Sequence, residues 1–425
     1  MSKLSRRTFI QRAALGTAAF YISRNGFAAS PNDKLNIGFV GTANQARFSI
    51  DNLKDQNIVA ICDVDENFLA KAAQDFPSAK KYNDFRRMLE QKDIDAVVVA
   101  TPDHTHAVAT VAALRSGHHV YCEKPLTHTV SECRIVREAA RKAKKATQMG
   151  TQIHAGNNYR RVVELVQKDA IGQVKEVHVW ASAIYGGKQL PTEHPPVPST
   201  LHYDLWTGPI EPVAYSPEYV PFKWRNWWAF GGGTMADFGC HFMDLPHWAL
   251  DLREPIAVSA EGPERDPNCP PVWMIAQFEY PARKEKPPVK LTWYQGGRQP
   301  DLLTPEQKKK WVSGVLFVGE KGNLLSDYSR HILLPEDKFQ DYTRPEPFIP
   351  NSIGHHKEWV QACKTGSPTT CNFDYSGALS EAVLLGNVAF RAGERLEWDT
   401  KKLKATNTRA ADEFVHHHYR KGWKI

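Results

Sequence analysis

Strand-like and helix-like segments alternate through residues 34–151, and this alternation constrains the fold more than any other feature of the sequence. The segment Ile94–Ala100 reads IDAVVVA, a β-branched run bounded by turn signals, which is typical of a buried central strand in a parallel sheet. Strands that alternate with helices in this way predict a doubly wound parallel sheet. The predicted strands are 34–41, 58–62, 94–100, 119–121 and 147–151, and the predicted helices are 44–54, 66–76, 84–90, 104–116 and 130–145.

The pattern changes in the second part of the chain, where the strands become longer and alternate between apolar and polar residues. Such strands predict a second α/β domain with an open, largely antiparallel sheet. The predicted elements are a helix over 159–167, strands over 174–182, 274–280 and 289–295, and a late helix over 376–392.

These patterns divide the chain into three parts. An export signal is expected over 1–30, a parallel-sheet domain over 31–151 and a second domain over 152–425, whose final helical region is a candidate to pack back on the first domain. Two proline-rich stretches, 191–198 and 209–221, are expected to be surface or lid loops.

The first thirty residues have the features of an export signal. Ser5–Ile10 is a twin-arginine motif, Ala13–Ile22 is a mild apolar run, and Gly26, Ala28 and Ala29 offer small residues to a signal peptidase. The apolar run is shorter than the roughly 20 residues that a membrane span needs. We therefore expect no membrane span and export by the twin-arginine route, to the periplasm or otherwise out of the cytoplasm. A frayed basic terminus is the alternative.

The charge balance does not favour a nucleic-acid partner. The formal net charge is +7 and falls to +2 if residues 1–28 are removed, because that segment holds five basic residues and no acidic one. No dense basic run remains afterwards. The seven cysteines include no C-x-x-C pair and no zinc-type spacing, so we expect them to be mostly buried apolar residues.

Gly41–Ala46 lies at the first strand-to-helix turn, where a G-x-G-x-x-G dinucleotide-binding pattern would stand. Only the first glycine is present, and Ala43 replaces the glycine that lets the backbone approach a pyrophosphate. The helix that begins after Asn44 still offers free N–H groups to phosphate. Asp63 lies 22 residues after Gly41, at the position that binds ribose hydroxyls. An acid there repels a 2′-phosphate and favours NAD over NADP, whereas the alternative role of Asp63 is to form a turn.

Lys124, Asp237 and His241 are the candidates for proton handling. Asp237 and His241 are four residues apart, which places them on one face of a helix. Lys124 stands between an acid and a proline at the end of a predicted parallel strand, where such sheets bind ligands. Histidine titrates near neutral pH and an ammonium stabilises a developing alkoxide, so the set suits hydride transfer from a hydroxyl-bearing substrate. The alternative for Lys124 is a solvated surface lysine.

Taken together, these residues resemble the Gfo/Idh/MocA family of glucose–fructose oxidoreductase and inositol dehydrogenase, over nearly the whole chain after the signal. The resemblance implies an NAD-binding Rossmann domain followed by an α/β domain whose open sheet often carries the oligomer interface. A homo-oligomer and a carbohydrate substrate are therefore expected. The motifs that carry the resemblance are Thr101–His106, Glu123–Pro125, Gly150–Gln152, Trp224–Arg225 and the segment Gly233…Asp237…His241.

The resemblance also implies roles for individual residues. Lys124 would lie between nicotinamide and substrate and lower the pKa of the substrate hydroxyl, His241 would be the general acid/base, and Asp237 its neighbour. The substrate-binding candidates are Gln152, His154, Tyr185 and His241, with structural roles equally open for His154 and Tyr185. The expected cofactor-binding residues are Gly41, Ala43, Asn44, Asp63, Thr101, Pro102, His106, Glu123, Lys124, Trp224 and Arg225, the last two reaching in from the second domain.

A metal site is not expected. Asp244 and His247 have a spacing near His241 that a metal could use, but no third ligand stands at a clean spacing. Asp244 is expected at a helix or subunit contact. The pair His355–His356 is expected in a loop and the run His416–His418 in the tail.

Three functions remain open on the sequence. The first is an NAD-dependent oxidoreductase acting on a sugar or glycoside, with its cofactor tightly bound because free NAD is scarce outside the cytoplasm. The second is a redox-neutral glycoside hydrolase that oxidises, eliminates, hydrates and reduces in turn. The intact Lys124, Asp237 and His241 set favours the first, because hydrolase branches of the family tend to replace it. The third, suggested by Ala43, is a cofactor-binding relative without turnover.

Overall fold

The computed structural model describes residues 34–425 of the chain. The twin-arginine motif, the apolar run and the small residues of the expected cleavage site lie outside the described residues. Within residues 34–425, no helix is both long enough and apolar enough to cross a membrane.

The first domain is built on six parallel strands, β1 (Asn36–Val40), β2 (Asn57–Cys62), β3 (Lys80–Tyr82), β4 (Ala96–Val99), β5 (His119–Cys122) and β6 (Thr147–Met149). Their spatial order is β3–β2–β1–β4–β5–β6. All of β4 is buried, because helices cover both faces of a central parallel strand. The predicted doubly wound sheet is confirmed. Its strand order reverses between β1 and β4, which is where such sheets bind ligands.

Five helices accompany these strands, α1 (Gln45–Leu53), α2 (Glu66–Asp75), α3 (Phe85–Met88), α4 (Asp103–Arg115) and α5 (Val130–Ala143). The structure differs from the sequence pattern at one edge of the sheet. The helix expected over 84–90 shortens to α3, and β3 has no counterpart among the predicted strands. β3 is a short edge strand whose two lysines are exposed, so no apolar run marks it in the sequence.

The second domain contains a nine-stranded sheet, made of β7 (Val174–Ala181), β8 (Ala257–Glu261), β9 (Met274–Tyr280), β10 (Val289–Gln295), β11 (Gly314–Gly319), β12 (Asn323–Ser326), β13 (His331–Leu334), β14 (Leu396–Asp399) and β15 (Lys404–Ala405). Its order is β13–β12–β11–β7–β10–β9–β8–β14–β15. β7 and β10 pair in parallel, and the other pairs are antiparallel. The open, largely antiparallel second sheet is therefore confirmed.

Helices cover one face of this second sheet. The helices after β6 are α6 (Asn157–Gln167), α7 (Tyr203–Thr207), α8 (Gly233–Phe242), α9 (Asp244–Leu250), α10 (Pro305–Lys310), α11 (His355–Thr365), α12 (Phe373–Ala392) and α13 (Asp412–Val415). Of these, α8 and α12 pack on the strands. On the other face, Trp180 of β7 packs with Trp311 and Leu303, so the segment around α10 shields part of that face.

The long helix α12 joins the two domains, because it packs against α5 of the first domain as well as against α8. Arg134 on α5 donates from Nη2 to the Glu381 carboxylate on α12 at 2.8 Å. The Glu381 side chain is fully buried. Burial raises the pKa of Glu381, and the Arg134 guanidinium opposes that rise.

His355 and His356 do not lie in a loop, so that expectation is wrong. They begin α11 and are both buried, because α11 packs against α1. Nε2 of His355 lies 2.8 Å from the Met149 carbonyl oxygen, and Nε2 of His356 lies 2.9 Å from Ser49 Oγ. The pair therefore helps to hold α11 on the first domain.

All seven cysteines carry free thiols, and all are buried except Cys363, which is half-buried. Burial raises the pKa of these thiols, as it does for Cys240, to about 12. This agrees with their interpretation as apolar core residues.

Replacing Arg134 with alanine should lower the free energy of unfolding by about 3 kcal/mol, because it leaves the buried Glu381 carboxylate without its main cation. Arg137, whose Nη1 atom lies 3.9 Å from Glu381, should compensate only in part. Urea unfolding followed by circular dichroism measures the change. The control is Arg87→Ala, which removes an exposed ion pair with Glu90 and should cost less than about 1 kcal/mol. Equal losses in the two variants would contradict this account.

Candidate active site

A cavity of about 420 Å³ lies between the two domains. Its first-domain wall is formed by the turns that follow β1, β2, β4 and β5 at the carboxyl ends of the parallel strands. This is the edge at which open parallel sheets bind ligands. Second-domain residues form the opposite wall, namely Tyr185, Leu201, Leu205, Trp206, Val220, Pro221, Phe222, Trp224, Arg225, Asp237 and Trp423.

Gly41 allows the turn after β1 to pass close to the neighbouring strand. Its φ is 90°, in the region that favours glycine. A Cβ at this position would lie 2.4 Å from the Ala100 carbonyl oxygen, which follows β4. A side chain therefore cannot be accommodated here, so the single glycine that survives from the pattern is the one that the backbone requires.

The strained residue of the turn is Asn44 and not Ala43. Asn44 has φ 52° and ψ −116°, a conformation that suits glycine, whereas φ of Ala43 is not positive. Ala43, which stands at the second glycine position of the pattern, therefore carries no φ penalty, and the strain lies one residue later. Both residues line the cavity beside the start of α1.

Asp63 holds the turn in place as well as lining the cavity. Its Oδ2 accepts hydrogen bonds from the Thr42 backbone N–H and hydroxyl, both at 2.9 Å, and Oδ1 accepts from the Asp65 backbone N–H at 3.0 Å. Burial raises the pKa of Asp63, and these hydrogen bonds oppose the rise. A carboxylate has about four lone-pair positions, so capacity for one further donor remains.

These features fit a dinucleotide. One end of the cavity is bordered by the Gly41 turn, the N-terminus of α1 and Asp63 after β2. Lys124 borders the other end. The residues that would hold NAD are thus Gly41, Ala43, Asn44 and Asp63 at the first end, with Thr101, Pro102, His106, Glu123, Lys124, Trp224 and Arg225 towards the second; all of them line the cavity.

At the second end, three charged side chains meet. Lys124 Nζ contacts Asp237 Oδ1, and Arg225 Nε donates to the same oxygen at 3.1 Å. The Arg225 guanidinium also lies over the Trp224 ring, 4.0 Å from its centroid, in a cation–π contact. Burial alone would raise the pKa of Asp237, but Lys124 and Arg225 hold it well below its usual range.

His241 lies one helical turn after Asp237 on α8. Burial, together with the cations Lys124 and Arg225, lowers its pKa to about 3, although Asp237 acts in the opposite direction. Its imidazole is therefore neutral near pH 7. Nδ1 is buried without a hydrogen-bond partner among the described residues. His241 does not itself line the cavity, whereas Asp237 does.

Gln152 does not line the cavity, but it holds the Glu123 side chain by a hydrogen bond. Gln152 Nε2 donates to Glu123 Oε1 at 3.0 Å and to the Tyr121 hydroxyl at 3.1 Å. A Cβ at Gly150 would lie 2.5 Å from the Glu123 carboxylate, so glycine is required for this arrangement. Burial raises the pKa of Glu123 to about 7.

His106 ties two cavity turns together. Its Nδ1 lies 2.7 Å from the Pro125 carbonyl oxygen, and its Nε2 lies 2.8 Å from the Thr101 carbonyl oxygen. Thr105 Oγ1 donates to Thr101 Oγ1 at 2.7 Å and strengthens the same turn. These bonds fix the end of β4 relative to the lysine loop after β5.

His154 is not placed with the cavity residues. It is 1% exposed, its Nδ1 lies 3.0 Å from both oxygens of Asp244, and its ring stacks on Trp248 at 4.0 Å. Asp244 also accepts from the Tyr375 hydroxyl at 2.7 Å. Asp244 is thus a buried helix contact, and His247, whose Nε2 lies 3.1 Å from the Tyr280 hydroxyl, points elsewhere.

Tyr185 does line the cavity, and its ring stacks on Phe238 of α8 at 6.4 Å. Sequence patterns missed other lining residues, among them Leu205, Phe222 and Trp423. These come from short helices, a proline-rich loop and the tail, and their only common signal is that they are apolar. Within residues 34–425, no group of three or more His, Cys, Asp or Glu side chains is placed to bind a metal.

Replacing Asn44 with glycine should raise the free energy of unfolding by about 1 kcal/mol, because glycine adopts its φ without steric cost. Ala43→Gly is the matched control in the same turn. It should leave stability unchanged or lower it, since it only adds freedom to the unfolded chain, and NAD affinity should be unchanged or tighter. Urea unfolding of cofactor-free protein measures the free energy of unfolding of both variants. A loss of stability in Asn44→Gly would show that this backbone conformation is wrong.

Comparison with known families agrees with this geometry. The model described as the oxidoreductase family, NAD-binding Rossmann fold, matches residues 35–151. The model of the same family's C-terminal alpha/beta domain matches residues 160–425. Together the two matches cover nearly all of the described chain.

Relatives match over shorter stretches. Inositol 2-dehydrogenase of Salmonella typhimurium is 31% identical over 144 residues, which are 33% of this chain and 43% of that protein. Myo-inositol 2-dehydrogenase of Thermotoga maritima is 26% identical over 179 residues, or 41% and 50% of the two chains. A glycosyl hydrolase family 109 protein of Shewanella pealeana is 26% identical over 203 residues, or 40% and 44%. The chain thus spans half or less of the length of these relatives.

Solved structures share the fold. WlbA dehydrogenase from Bordetella pertussis, in complex with NADH and UDP-GlcNAcA, has a TM-score of 0.61 at 17% identity. The match covers 86% of this chain and 99% of the WlbA chain. GenD2 from gentamicin A biosynthesis, in complex with NAD, has a TM-score of 0.61 at 19% identity and covers 88% and 99%. With both family models matched, the chain belongs to the Gfo/Idh/MocA oxidoreductase family, and residues 35–151 are its NAD-binding Rossmann domain.

Proposed function

We propose that this protein transfers hydride between a sugar or glycoside hydroxyl and a tightly bound NAD. One observation carries the proposal: the cavity that begins at the Gly41 turn ends at Lys124 and Asp237, with His241 one turn further along α8. This arrangement would bring a bound nicotinamide close to the proton-handling residues, as a dehydrogenase requires.

Lys124 would act on the substrate hydroxyl. When bound, NAD accepts or returns the hydride. The Lys124 ammonium, held by Asp237, would stabilise the oxygen as its proton leaves, because a fixed cation in a dry site costs no reorganisation. Asp237 and Arg225 would orient that ammonium and would not themselves exchange protons, since the pKa of Asp237 is far below neutral.

His241 would take the hydroxyl proton. Its imidazole is neutral near pH 7, so it can accept a proton without first losing one. In the reverse direction the imidazolium would return the proton to the substrate's carbonyl oxygen as that carbonyl is reduced. Tyr185, which lines the cavity on the same side as Asp237, is the candidate contact for another substrate hydroxyl.

The carbohydrate class rests on relatives as well as on the site. Two of them are inositol dehydrogenases, and a structural neighbour from Caulobacter crescentus, with a TM-score of 0.57 at 17% identity, is an aldose-aldose oxidoreductase. A polyol or sugar ring offers vicinal hydroxyls that Tyr185 and Lys124 could bind together. We therefore propose a cyclic polyol, sugar or glycoside as substrate.

A redox-neutral glycoside hydrolase is the second candidate, because the glycosyl hydrolase family 109 proteins also match this chain. Adding a panel of polyols, sugars and glycosides to the purified protein separates the two. Lasting formation of reduced nicotinamide, followed by its absorbance, supports the dehydrogenase. Release of sugar and aglycone without lasting reduction would replace it with the hydrolase.

Lys124→Ala and His241→Ala should each lower kcat about a hundredfold or more, with NAD affinity largely retained, because both act on one proton transfer. For the same reason the double variant should lose less than the product of the two losses. Asp237→Asn should cost less than His241→Ala. Lys80→Ala and His416→Ala, both of exposed residues, serve as controls and should keep full turnover. Unchanged turnover in Lys124→Ala or His241→Ala would show that the catalytic residues lie elsewhere in the cleft.

We further propose that the protein is exported by the twin-arginine route and folds with NAD before it crosses the membrane. Binding stabilises the folded state by mass action, and little NAD is available outside the cytoplasm for rebinding. The purified protein should therefore contain nearly one NAD per chain. Acid release and quantification of the dinucleotide measures this. Protein isolated without NAD, with an affinity in the high-micromolar range, would contradict the proposal.

A further inference from the structure

The carboxy-terminal tail, residues 419–425, returns from the second domain to the first and borders the cavity beside the residues that follow β3. Trp423 is half-buried and lines the cavity there, next to Phe85, which follows β3. None of the motifs that identify the family includes this segment. The tail therefore adds a wall to the cofactor cavity that the Rossmann domain alone does not provide.

Directed hydrogen bonds attach the tail. The Arg420 backbone N–H donates to the Pro209 carbonyl oxygen at 2.9 Å, and its guanidinium donates to the side chain and the backbone carbonyl of Asp204, both at 2.6 Å. The Tyr419 hydroxyl donates to Glu132 Oε1 at 2.6 Å. The tail is thus anchored to the start of α7 and to the start of α5, one in each domain.

Trp423 is held from one side by Arg86. The Arg86 guanidinium lies 4.5 Å from the centroid of the indole, and its Nη2 donates to Asp84 at 2.7 Å. Phe85 lies next to the indole, with ring centroids 6.0 Å apart at 47°. The indole is therefore oriented by contacts of its own and does not need a ligand to fix its position.

The two walls at this end differ in chemistry. The first-domain wall carries polar groups after β2 and β3, including Asp63, Asn83 and Asp84, whereas the facing wall is apolar and contains Leu205, Phe222 and Trp423. A flat heteroaromatic ring with polar edges suits this combination, because every base has a face that stacks on an aromatic side chain. Asp63 places the ribose hydroxyls at this same end.

We infer that the tail is a strap that closes the adenosine end of the NAD cavity, with Trp423 covering the adenine, so that NAD leaves only after the strap detaches. The inference rests on the NAD binding of the proposed function and adds a cause for slow release. The strap can open, since Asp204, one of the groups that hold Arg420, is 78% exposed to solvent. Added salt, which screens the ion pair between these two residues, should speed the release of NAD.

Release of bound NADH, displaced by excess NAD in a stopped-flow fluorimeter, tests the strap without any substrate. Trp423→Ala and Arg420→Ala should each release NADH about 10- to 100-fold faster, the range expected for losing one base-stacking contact or its anchor. Trp423→Phe keeps an aromatic face and should stay within a few-fold of the unsubstituted rate. Lys424→Ala removes an exposed cation from the same tail and is the control that should change nothing.

Half-molecules of the cofactor locate the effect. Trp423→Ala should weaken the binding of AMP, which carries the adenosine half, and leave nicotinamide mononucleotide unchanged. NADH release within about twofold of the unsubstituted rate in Trp423→Ala, or equal losses for the two half-molecules, would overturn the strap while the proposed function stands. Unsubstituted protein that binds no NADH would overturn the proposed function and the strap with it.

Discussion

The buried contact of Asp237 with Lys124 and Arg225 is the interaction on which the rest of the cleft depends. Lys124 follows β5 of the first domain, whereas Asp237 and Arg225 belong to the second, so this cluster bridges the two. Taking each ion out of water costs several kcal/mol, and the cost is offset only while all partners stay in contact. The cluster therefore fixes the distance between the loop after β5, which carries Lys124, and α8. Hydride transfer needs such a fixed distance, because a misplacement of about 1 Å can cost on the order of a hundredfold in rate.

The same cations determine the protonation of His241. They add to the effect of burial and keep the imidazole neutral, with a pKa lowered to about 3, which alone would make it a weak base. A negative oxygen that develops beside Lys124 would offset one of these cations and raise the pKa of His241 as the proton moves. Proton transfer and alkoxide formation would then assist each other, so a base that is weak in the free protein can serve in the reacting complex. Glu123, whose pKa is raised to about 7, carries less than a full negative charge near neutral pH.

Local patterns predicted those parts of the structure that depend on local sequence. β4 is an uninterrupted apolar run, and Asp237 and His241 follow from helical spacing, so both could be identified from the chain alone. The positions that were misjudged depend on distant residues. His154 is held away from the cavity by Asp244, which lies 90 residues later. His355 is buried because α11 packs on α1, and residue spacing in the sequence does not predict this contact between distant helices.

The cofactor turn and the tail have complementary consequences for NAD. Ala43 replaces the second glycine of the pattern at the turn, and its Cβ would limit how closely the backbone can approach a pyrophosphate. An enclosing tail compensates in a different way, because Trp423 would add a stacking contact to the adenine and the closed tail would slow both dissociation and association. Slow association would harm an enzyme that exchanges NAD in every cycle. It does no harm to one that takes up NAD once, while folding where the cofactor is abundant, and then keeps it. A weak turn combined with a closed adenosine end is therefore the arrangement expected of a protein that recycles a resident cofactor.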